Sequence, residues 1–175
     1  MFNVQSTMFN KITLRAIEPE DLDLLYRIEN DRQLWDVGST NVPYSRYVLH
    51  DYIANSSGDI YTDREVRLII ENGVGEAVGM ADITNFDAKN RHAEVGIVIA
   101  REHRQKGYAL EALEQVVDYA ARVVHLRQLY AIINADNDAS LRLFRKAGFS
   151  DAAKLNDWLY DGTSYHAAVV MQIFL

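Results

Sequence analysis

The sequence predicts a mixed α/β fold in which helices flank a mostly antiparallel sheet. Its 175 residues are 49% apolar and 25% charged, the composition of a globule with a sizeable core. Seven segments have the patterns of strands and four have helical periodicity, in the order β-α-α-β-β-β-α-β-α-β-β. We therefore expect a single domain over residues 1–175, with residues 1–10 as an N-terminal extension.

The first third of the chain predicts one strand and two helices. Residues 12–17 alternate between apolar and polar side chains, as a half-buried strand does. Pro19 then opens a helix whose first turn is acidic, which the helix dipole favours. A second helical stretch runs from Pro43 to about Asn55, where the Ser-Ser-Gly-Asp of residues 56–59 ends it.

Three segments with strand patterns follow, at residues 65–71, 77–86 and 92–100. The Asn-Gly-Val-Gly of residues 72–75 suits a hairpin between the first two. Residues 87–90 provide a turn between the second and the third. The simplest arrangement of these segments is an antiparallel meander.

After Gly107 the apolar spacing changes to that of a helix. One face of this helix carries Leu110, Leu113, Val117, Ala120 and Val124. Residues 129–134 predict a short strand, and residues 138–147 predict a helix that Gly148 closes with a left-handed cap. The Asp-Gly pair at 161–162 predicts the turn of a terminal hairpin.

Composition and charge exclude several kinds of function. The absence of cysteine excludes disulfides, thiolate metal sites and a cysteine nucleophile. A net charge of −7 argues against nucleic-acid binding, and no apolar run reaches the roughly 18 residues of a membrane span. The start of the chain does not have the pattern of a secretion signal, so we expect a cytoplasmic protein.

The clearest chemistry lies in residues 94–109, a predicted strand, a basic loop and the start of a helix. Backbone N–H groups at a helix N-terminus lack partners, and with the helix dipole they bind phosphate. Gly107 would let a ligand approach the backbone closely, and Arg104 and Lys106 add positive charge. The loop therefore suits a pyrophosphate, with a plain surface loop as the alternative.

Taken together, these segments resemble the GNAT superfamily of N-acetyltransferases. Residues 104–109 resemble the loop that binds the acetyl-CoA pyrophosphate, and residues 137–140 with 144–149 resemble the second cofactor element. Residues 92–94 and 161–166 are typical of the branch that contains spermidine N-acetyltransferases and ribosomal-protein N-terminal acetyltransferases. The order of predicted strands and helices agrees with a GNAT-like sheet.

The resemblance implies how acetyl-CoA is held. The backbone of residues 97–99 would pair with the pantetheine arm, amides of residues 104–109 would hold the pyrophosphate, and Asn137 would hydrogen-bond the arm. Lys146, with Arg142 and Arg145, would lie near the adenosine. Taken singly, Asn137 also suits a helix cap and Lys146 a solvated surface charge. The implied cofactor residues are Ile97, Val98, Ile99, Arg104, Gln105, Lys106, Gly107, Tyr108, Ala109, Asn137, Ser140, Phe144 and Lys146.

An amine would attack the thioester directly, because no cysteine is present to carry the acetyl group. Glu94 is the candidate general base, since alternation places it on the same face as Gly96 and Val98. An ion pair at the end of the strand is the alternative role for Glu94. The N–H of Val98 would polarise the thioester carbonyl.

Phe144 departs from the pattern of the spermidine branch. A tyrosine proposed to protonate the leaving thiolate typically occupies that position, and phenylalanine has no proton to give. Ser140, one helical turn earlier, matches the serine that has this role in the ribosomal-protein branch. Ser140 is therefore the candidate acid, with helix capping or cofactor binding as the alternative.

The acceptor stays open between a polyamine such as spermidine, a protein N-terminus and another small amine. The acidic balance of −5 over residues 1–65 suits any cationic acceptor. Trp35, Tyr44, Tyr47 and Tyr52 would line an acceptor pocket or belong to the core. The five histidines lack metal-ligand spacing, so we expect no catalytic metal. A non-catalytic acyl-CoA sensor and a homo-oligomer also stay open.

Overall fold

One seven-stranded sheet forms the framework of the computed structural model, which describes residues 11–35 and 42–175. The strands are β1 (Ile12–Ala16), β2 (Val66–Asn72), β3 (Ala77–Asp87), β4 (His92–Ile99), β5 (Gln128–Asn134), β6 (Ser150–Tyr160) and β7 (Tyr165–Phe174). The helices are α1 (Leu22–Glu29), α2 (Arg32–Trp35), α3 (Arg46–Asn55), α4 (Ile60–Asp63), α5 (Tyr108–Arg122) and α6 (Asp138–Lys146). The predicted N-terminal extension, residues 1–10, lies outside the described residues.

The strands lie in the order β1-β2-β3-β4-β5-β7-β6 and are antiparallel except where β4 meets β5. This confirms the predicted meander and the mostly antiparallel sheet. β4 and β5 form only three parallel pairs, which end where Glu94 stands opposite Tyr130. Beyond that pair the two strands separate, and the sheet opens in its middle.

Apolar side chains cover both faces of the sheet. On one face α5 places Leu113 and Val116 in a fully buried cluster with Ile83 and other strand residues. On the other face Leu25 of α1 belongs to a second cluster with residues of α3, β2 and β3. Helices therefore flank the sheet as the sequence predicts.

The helical boundaries differ from the prediction in three places. A 3-10 turn over Pro19–Asp21 precedes α1, and α3 begins at Arg46 because the Ser45 side chain caps it by accepting the N–H of Val48. The one-turn helices α2 and α4 were not predicted, since four residues are too few to show a period of 3.6. None of the helices in the two described stretches is long and apolar enough to cross a membrane.

Candidate active site

A cleft of about 280 Å³ occupies the opening between β4 and β5. Its walls come from both separating strands, from α6, and from side chains of α1, α2, β2 and β3. The lining residues are Ile28, Glu29, Leu34, Arg67, Met80, Asp82, Val95, Gly96, Ile97, Val98, Ala131, Ile132, Ile133, Asn134, Asn137, Ser140 and Phe144. The cleft thus brings Asn137, Ser140 and Phe144 together with two of the predicted strand residues, Ile97 and Val98.

β4 presents an open backbone edge to this cleft. Residues 97–99 pair with residues 79–81 of β3 on one side, and the described ladder with β5 stops three residues before Ile97. Backbone groups along the second edge are consequently available to an extended ligand that carries amides.

The loop before α5 has the backbone conformation of an anion site. Gln105 and Gly107 both have left-handed backbone angles, with φ of 63° and 85°, and Gly107 immediately precedes the helix. Turns with left-handed residues can direct successive N–H groups toward one point, and the first turn of α5 adds its own unpaired N–H groups. The loop can therefore hold a pyrophosphate through its backbone.

The side chains of this loop divide into two groups. Gln105 and Lys106 are exposed, whereas Tyr108 and Ala109 pack against the core cluster beneath α5. Arg104 donates from Nε to the carbonyl oxygen of Ile99 at 3.0 Å. Part of the Arg104 guanidinium therefore holds the end of β4 to the loop.

Helix α6 presents one face to the cleft. The Asn137 side chain caps the helix by accepting the N–H of Ser140 at 3.1 Å, which is the cap role that its residue type allows. Ser140 and Phe144 follow one turn apart on that face. Phe144 is 3% exposed and meets the ring of Phe149 edge-on, with ring centroids 5.0 Å apart. Phe144 is thus a packed wall of the cleft.

Three basic residues of α6 lie away from the cleft. Arg142, Arg145 and Lys146 are exposed, and none of them lines it. Arg145 forms a bidentate ion pair with Asp151, at 3.0 and 2.7 Å, and this pair raises the pKa of Arg145.

Glu94 lies at the closed end of the cleft, at the last position where β4 and β5 pair. It is half-buried and is not among the lining residues, although Gly96 and Val98, two and four residues further along β4, are. Its Oε2 accepts from Asn85 Nδ2 at 2.7 Å. Burial raises the pKa of Tyr130, which stands opposite Glu94, and the nearby carboxylate raises it further.

A half-buried charge cluster that the sequence analysis missed forms another wall. Arg67 donates to both carboxylate oxygens of Asp82, at 2.7 and 2.8 Å, and to Glu29 at 2.7 Å. Burial lowers the pKa of Arg67, but the hydrogen bonds and charge of Asp82 more than offset this and hold it above its usual value. The sequence does contain a signal for this cluster, because Arg67 and Asp82 are charged residues within the otherwise apolar strands β2 and β3.

The aromatic residues near the first helices differ in their burial. Tyr44 and Tyr52 pack against the cluster between α1, α3 and the sheet, as the core interpretation predicts. Burial raises the pKa of Tyr52 to about 12, and its ring faces Arg67 at 5.5 Å. The prediction for Tyr47 is wrong, because this residue is 80% exposed on the outer side of α3. The side chain of Trp35 lies outside the described part of the chain.

Within residues 11–35 and 42–175, no group of three or more histidine, aspartate and glutamate side chains is arranged to hold a metal ion. The expectation that catalysis proceeds without a metal stays a prediction.

Comparisons with known proteins identify the family of this chain. A family model described as acetyltransferase (GNAT) domain matches residues 11–150. The spermidine N(1)-acetyltransferase of Escherichia coli (strain K12) is 28% identical over 165 residues, covering 94% of this chain and 87% of the relative. A Bacillus subtilis (strain 168) protein, "Putative ribosomal N-acetyltransferase YdaF", is 30% identical over 165 residues, with coverage of 90% and 88%.

Solved structures show the same fold. The crystal structure of spermidine N-acetyltransferase from Vibrio cholerae in complex with CoA and spermine has a TM-score of 0.83 at 24% identity, covering 95% of this chain and 96% of that one. A dodecameric structure of spermidine N-acetyltransferase from Vibrio cholerae has a TM-score of 0.81 at 25% identity, covering 95% of each chain. With a family model spanning residues 11–150, the chain belongs to the GNAT acetyltransferases and is an N-acetyltransferase.

Proposed function

We propose that this N-acetyltransferase transfers acetyl from acetyl-CoA directly to a primary amine of a polyamine such as spermidine. The observation that carries the proposal is the cleft between β4 and β5, which has an open strand edge and two wall carboxylates, Glu29 and Asp82. Relatives named spermidine N(1)-acetyltransferases, 25% to 28% identical over nearly the whole chain, support a polyamine as the acceptor. The cytoplasm is the compartment we propose, because it supplies both substrates.

In this proposal the pantetheine arm of acetyl-CoA lies along the second edge of β4, beside Ile97 and Val98. The pyrophosphate lies on the amides of residues 104–109, where the left-handed residues Gln105 and Gly107 turn N–H groups outward. Asn137 caps α6 with its side-chain oxygen, so its Nδ2 donor is left for the arm. Lys146 would reach only the adenosine end, outside the cleft.

The acceptor must lose a proton before its nitrogen can attack. An alkyl ammonium has a pKa of about 10, so deprotonation at neutral pH costs about 4 kcal/mol. We assign Glu94 as the base that takes this proton, through a water molecule, because it lies beside the cleft and only its Oε2 is engaged by Asn85. Asp82 is a poorer base, since Arg67 occupies both of its oxygens.

The nitrogen then forms a bond to the thioester carbon, loses its second proton to water and becomes the amide nitrogen as the carbon–sulfur bond breaks. The prediction for Val98 is wrong, because the register with β3 directs its N–H at Met80 and away from the cleft. The N–H of Ile97, on the open edge of β4, is our candidate for stabilising the negative charge that develops on the carbonyl oxygen. We assign Ser140 as the donor of a proton to the departing thiolate, because its side chain lies on the cleft face of α6 and Phe144 cannot donate. A thiol pKa of about 8.5 makes this assistance modest, about tenfold to a hundredfold.

The test is thiol release from acetyl-CoA with a panel of acceptors: spermidine, a peptide with a free N-terminus, an aminoglycoside and an amino acid. We expect release with spermidine at the highest kcat/KM. Binding of acetyl-CoA without release for any amine would identify a sensor and refute the proposal. In the same assay we expect Glu94→Gln to lower the rate at saturating amine, and a change of less than about twofold would exclude Glu94 as the base.

A protein N-terminus is the second candidate acceptor, and the relative of 30% identity with a ribosomal name favours it. Preference for the peptide over spermidine in the panel would select this alternative.

We also infer a homo-oligomer, supported by the exposed aromatic side chains Trp158, Tyr160 and Tyr165 of the terminal hairpin and by a dodecameric relative. Light scattering in solution measures the assembly size, and a monomer at all concentrations would contradict it.

A further inference from the structure

Lys11 lies beside the loop that precedes α5, although 95 residues separate it from Lys106 in the chain. A Cβ built at Gly107 would lie 3.9 Å from Lys11 Nζ, the nearest heavy atom to that position. The ammonium group of Lys11 therefore occupies the space in front of the residue that begins the helix.

Two hydrogen bonds fix the start of β1 against α5. The backbone N–H of Ile12 donates to Glu111 Oε1 at 3.2 Å, and Gln115 Nε2 donates to the carbonyl oxygen of Ile12 at 3.2 Å. Glu111 and Gln115 lie in the first two turns of α5, so the backbone beside Lys11 is anchored to the same helix end. The backbone from which the exposed side chain of Lys11 extends is thus fixed next to the start of α5.

The electrostatics of this position favour an anion. The N-terminal end of α5 carries partial positive charge, so an ammonium group there is unfavourable unless a negative group lies between them. None of the ion pairs among the described residues includes Lys11, and the one carboxylate of the first turn of α5, Glu111, directs its Oε1 to the Ile12 amide. The left-handed angles of Gln105 and Gly107 turn further N–H groups outward in the same loop.

We propose that Lys11 binds the pyrophosphate of acetyl-CoA from the side opposite the 104–109 loop. The proposal rests on the proposed function, and it extends the phosphate site to the start of β1. Arg104 directs its Nε to the carbonyl oxygen of Ile99, so part of its guanidinium is engaged within the protein. Lys11 adds a further positive charge next to the loop. The pyrophosphate is the group we assign because Lys11 lies at Gly107, at the beginning of α5.

Calorimetric titration of the parent protein, Lys11→Ala and Lys11→Arg tests this assignment, with CoA, dephospho-CoA and pantetheine as ligands. Lys89→Ala, an exposed lysine in the turn between β3 and β4, is the matched control. We expect Lys11→Ala to raise the dissociation constants of CoA and dephospho-CoA about fivefold or more, with Lys11→Arg recovering most of the loss. Pantetheine binding, and CoA binding by Lys89→Ala, should match the parent.

Two results would overturn the assignment. Parent-like affinity of folded Lys11→Ala for CoA would remove Lys11 from the site. A loss for CoA but none for dephospho-CoA would place Lys11 at the 3′-phosphate and away from the pyrophosphate. If the parent protein itself binds no CoA, the proposed function fails. If the parent binds CoA and Lys11→Ala binds it equally well, only the assignment of Lys11 fails.

Discussion

Gly79→Ala is a substitution whose effect on the cleft can be worked out from the packing of β3 against β4. A Cβ at Gly79 would lie 2.3 Å from the carbonyl oxygen of Val98 and 3.0 Å from the Cα of Ile99. These are backbone atoms, so no side-chain rotation can relieve the contact. An ordinary contact begins at 3.4 Å, and β4 must therefore move by about 1 Å at Val98.

This displacement should affect both stability and catalysis. Overpacking of this kind costs about 1–3 kcal/mol in the free energy of unfolding. The same movement would displace the neighbouring Ile97, whose N–H we assign to the thioester oxygen, and a shift of about 1 Å in a catalytic group can cost about a hundredfold in rate. We expect Gly79→Ala to fold and to lower kcat by about tenfold or more.

Urea unfolding and thiol-release kinetics measure the two effects separately. Gly73→Ala is the matched control, because it makes the same change in the turn between β2 and β3, where the nearest atom to the new Cβ is 4.0 Å away. A folded Gly79→Ala protein with the stability loss but with kcat within about twofold of the parent would refute the role of the Ile97 N–H. Unchanged stability would refute the contact itself.

Three further substitutions test other parts of the structure. Gly107→Val should raise the acetyl-CoA dissociation constant about tenfold or more in a titration, because φ is 85° and a branched side chain would stand at the phosphate position. Arg67→Met should lower the free energy of urea unfolding by about 3 kcal/mol, since the half-buried Asp82 would lose its bidentate partner and Glu29 its ion pair with Arg67, and Arg67→Lys should lose less. The hydrogen bond to Asp161, with Asp136 adding, raises the pKa of His166, so this histidine stabilises the fold fully below pH 6.5 and loses that contribution as pH rises through its folded-state pKa. The melting temperature of the parent should therefore exceed that of His166→Gln more at pH 5.5 than at pH 9, and an equal difference would contradict the ion pair.

The features of the candidate site that could be predicted from the sequence are those determined by residues close together in the chain. The loop before α5 was predictable because a strand, a glycine and the start of a helix within a few residues determine where backbone N–H groups point. The alternation of β4 likewise placed Glu94 on the face of Gly96 and Val98. Ser140 and Phe144 lie on one face of α6 because residues four apart in a helix do so.

The parts that sequence missed depend on contacts between distant segments. Lys11 reaches Gly107 only because β1 is tied to α5, and the sequence near Lys11 has no pattern that indicates this. The cluster of Arg67 with Glu29 and Asp82 joins three elements, and each charge alone is typical of a solvated surface. Tyr47 was assigned with its neighbours although it lies on the outer side of α3.

The short parallel pairing of β4 with β5 explains why a cleft exists in the middle of this sheet. A strand surrounded by others normally has its backbone groups paired on both edges, because an unpaired buried group costs free energy. Here the pairing ends at Glu94 and Tyr130, and the residues of β4 beyond it face a cleft. A ligand with amides in an extended arm can complete that edge as a neighbouring strand would.

The same opening determines where the two proposed proton transfers occur. Glu94 stands at the closed end, beside the last pair of β4 and β5, whereas Ser140 lines the cleft from α6. An amine that enters past Glu29 and Asp82 would meet the base on β4, and the thiolate would leave along the side of α6. Separate positions for base and acid allow one proton to be removed and another supplied without either group changing roles. The divergence of the two strands thus exposes one backbone edge of β4 and places the proposed base and the proposed acid on different elements.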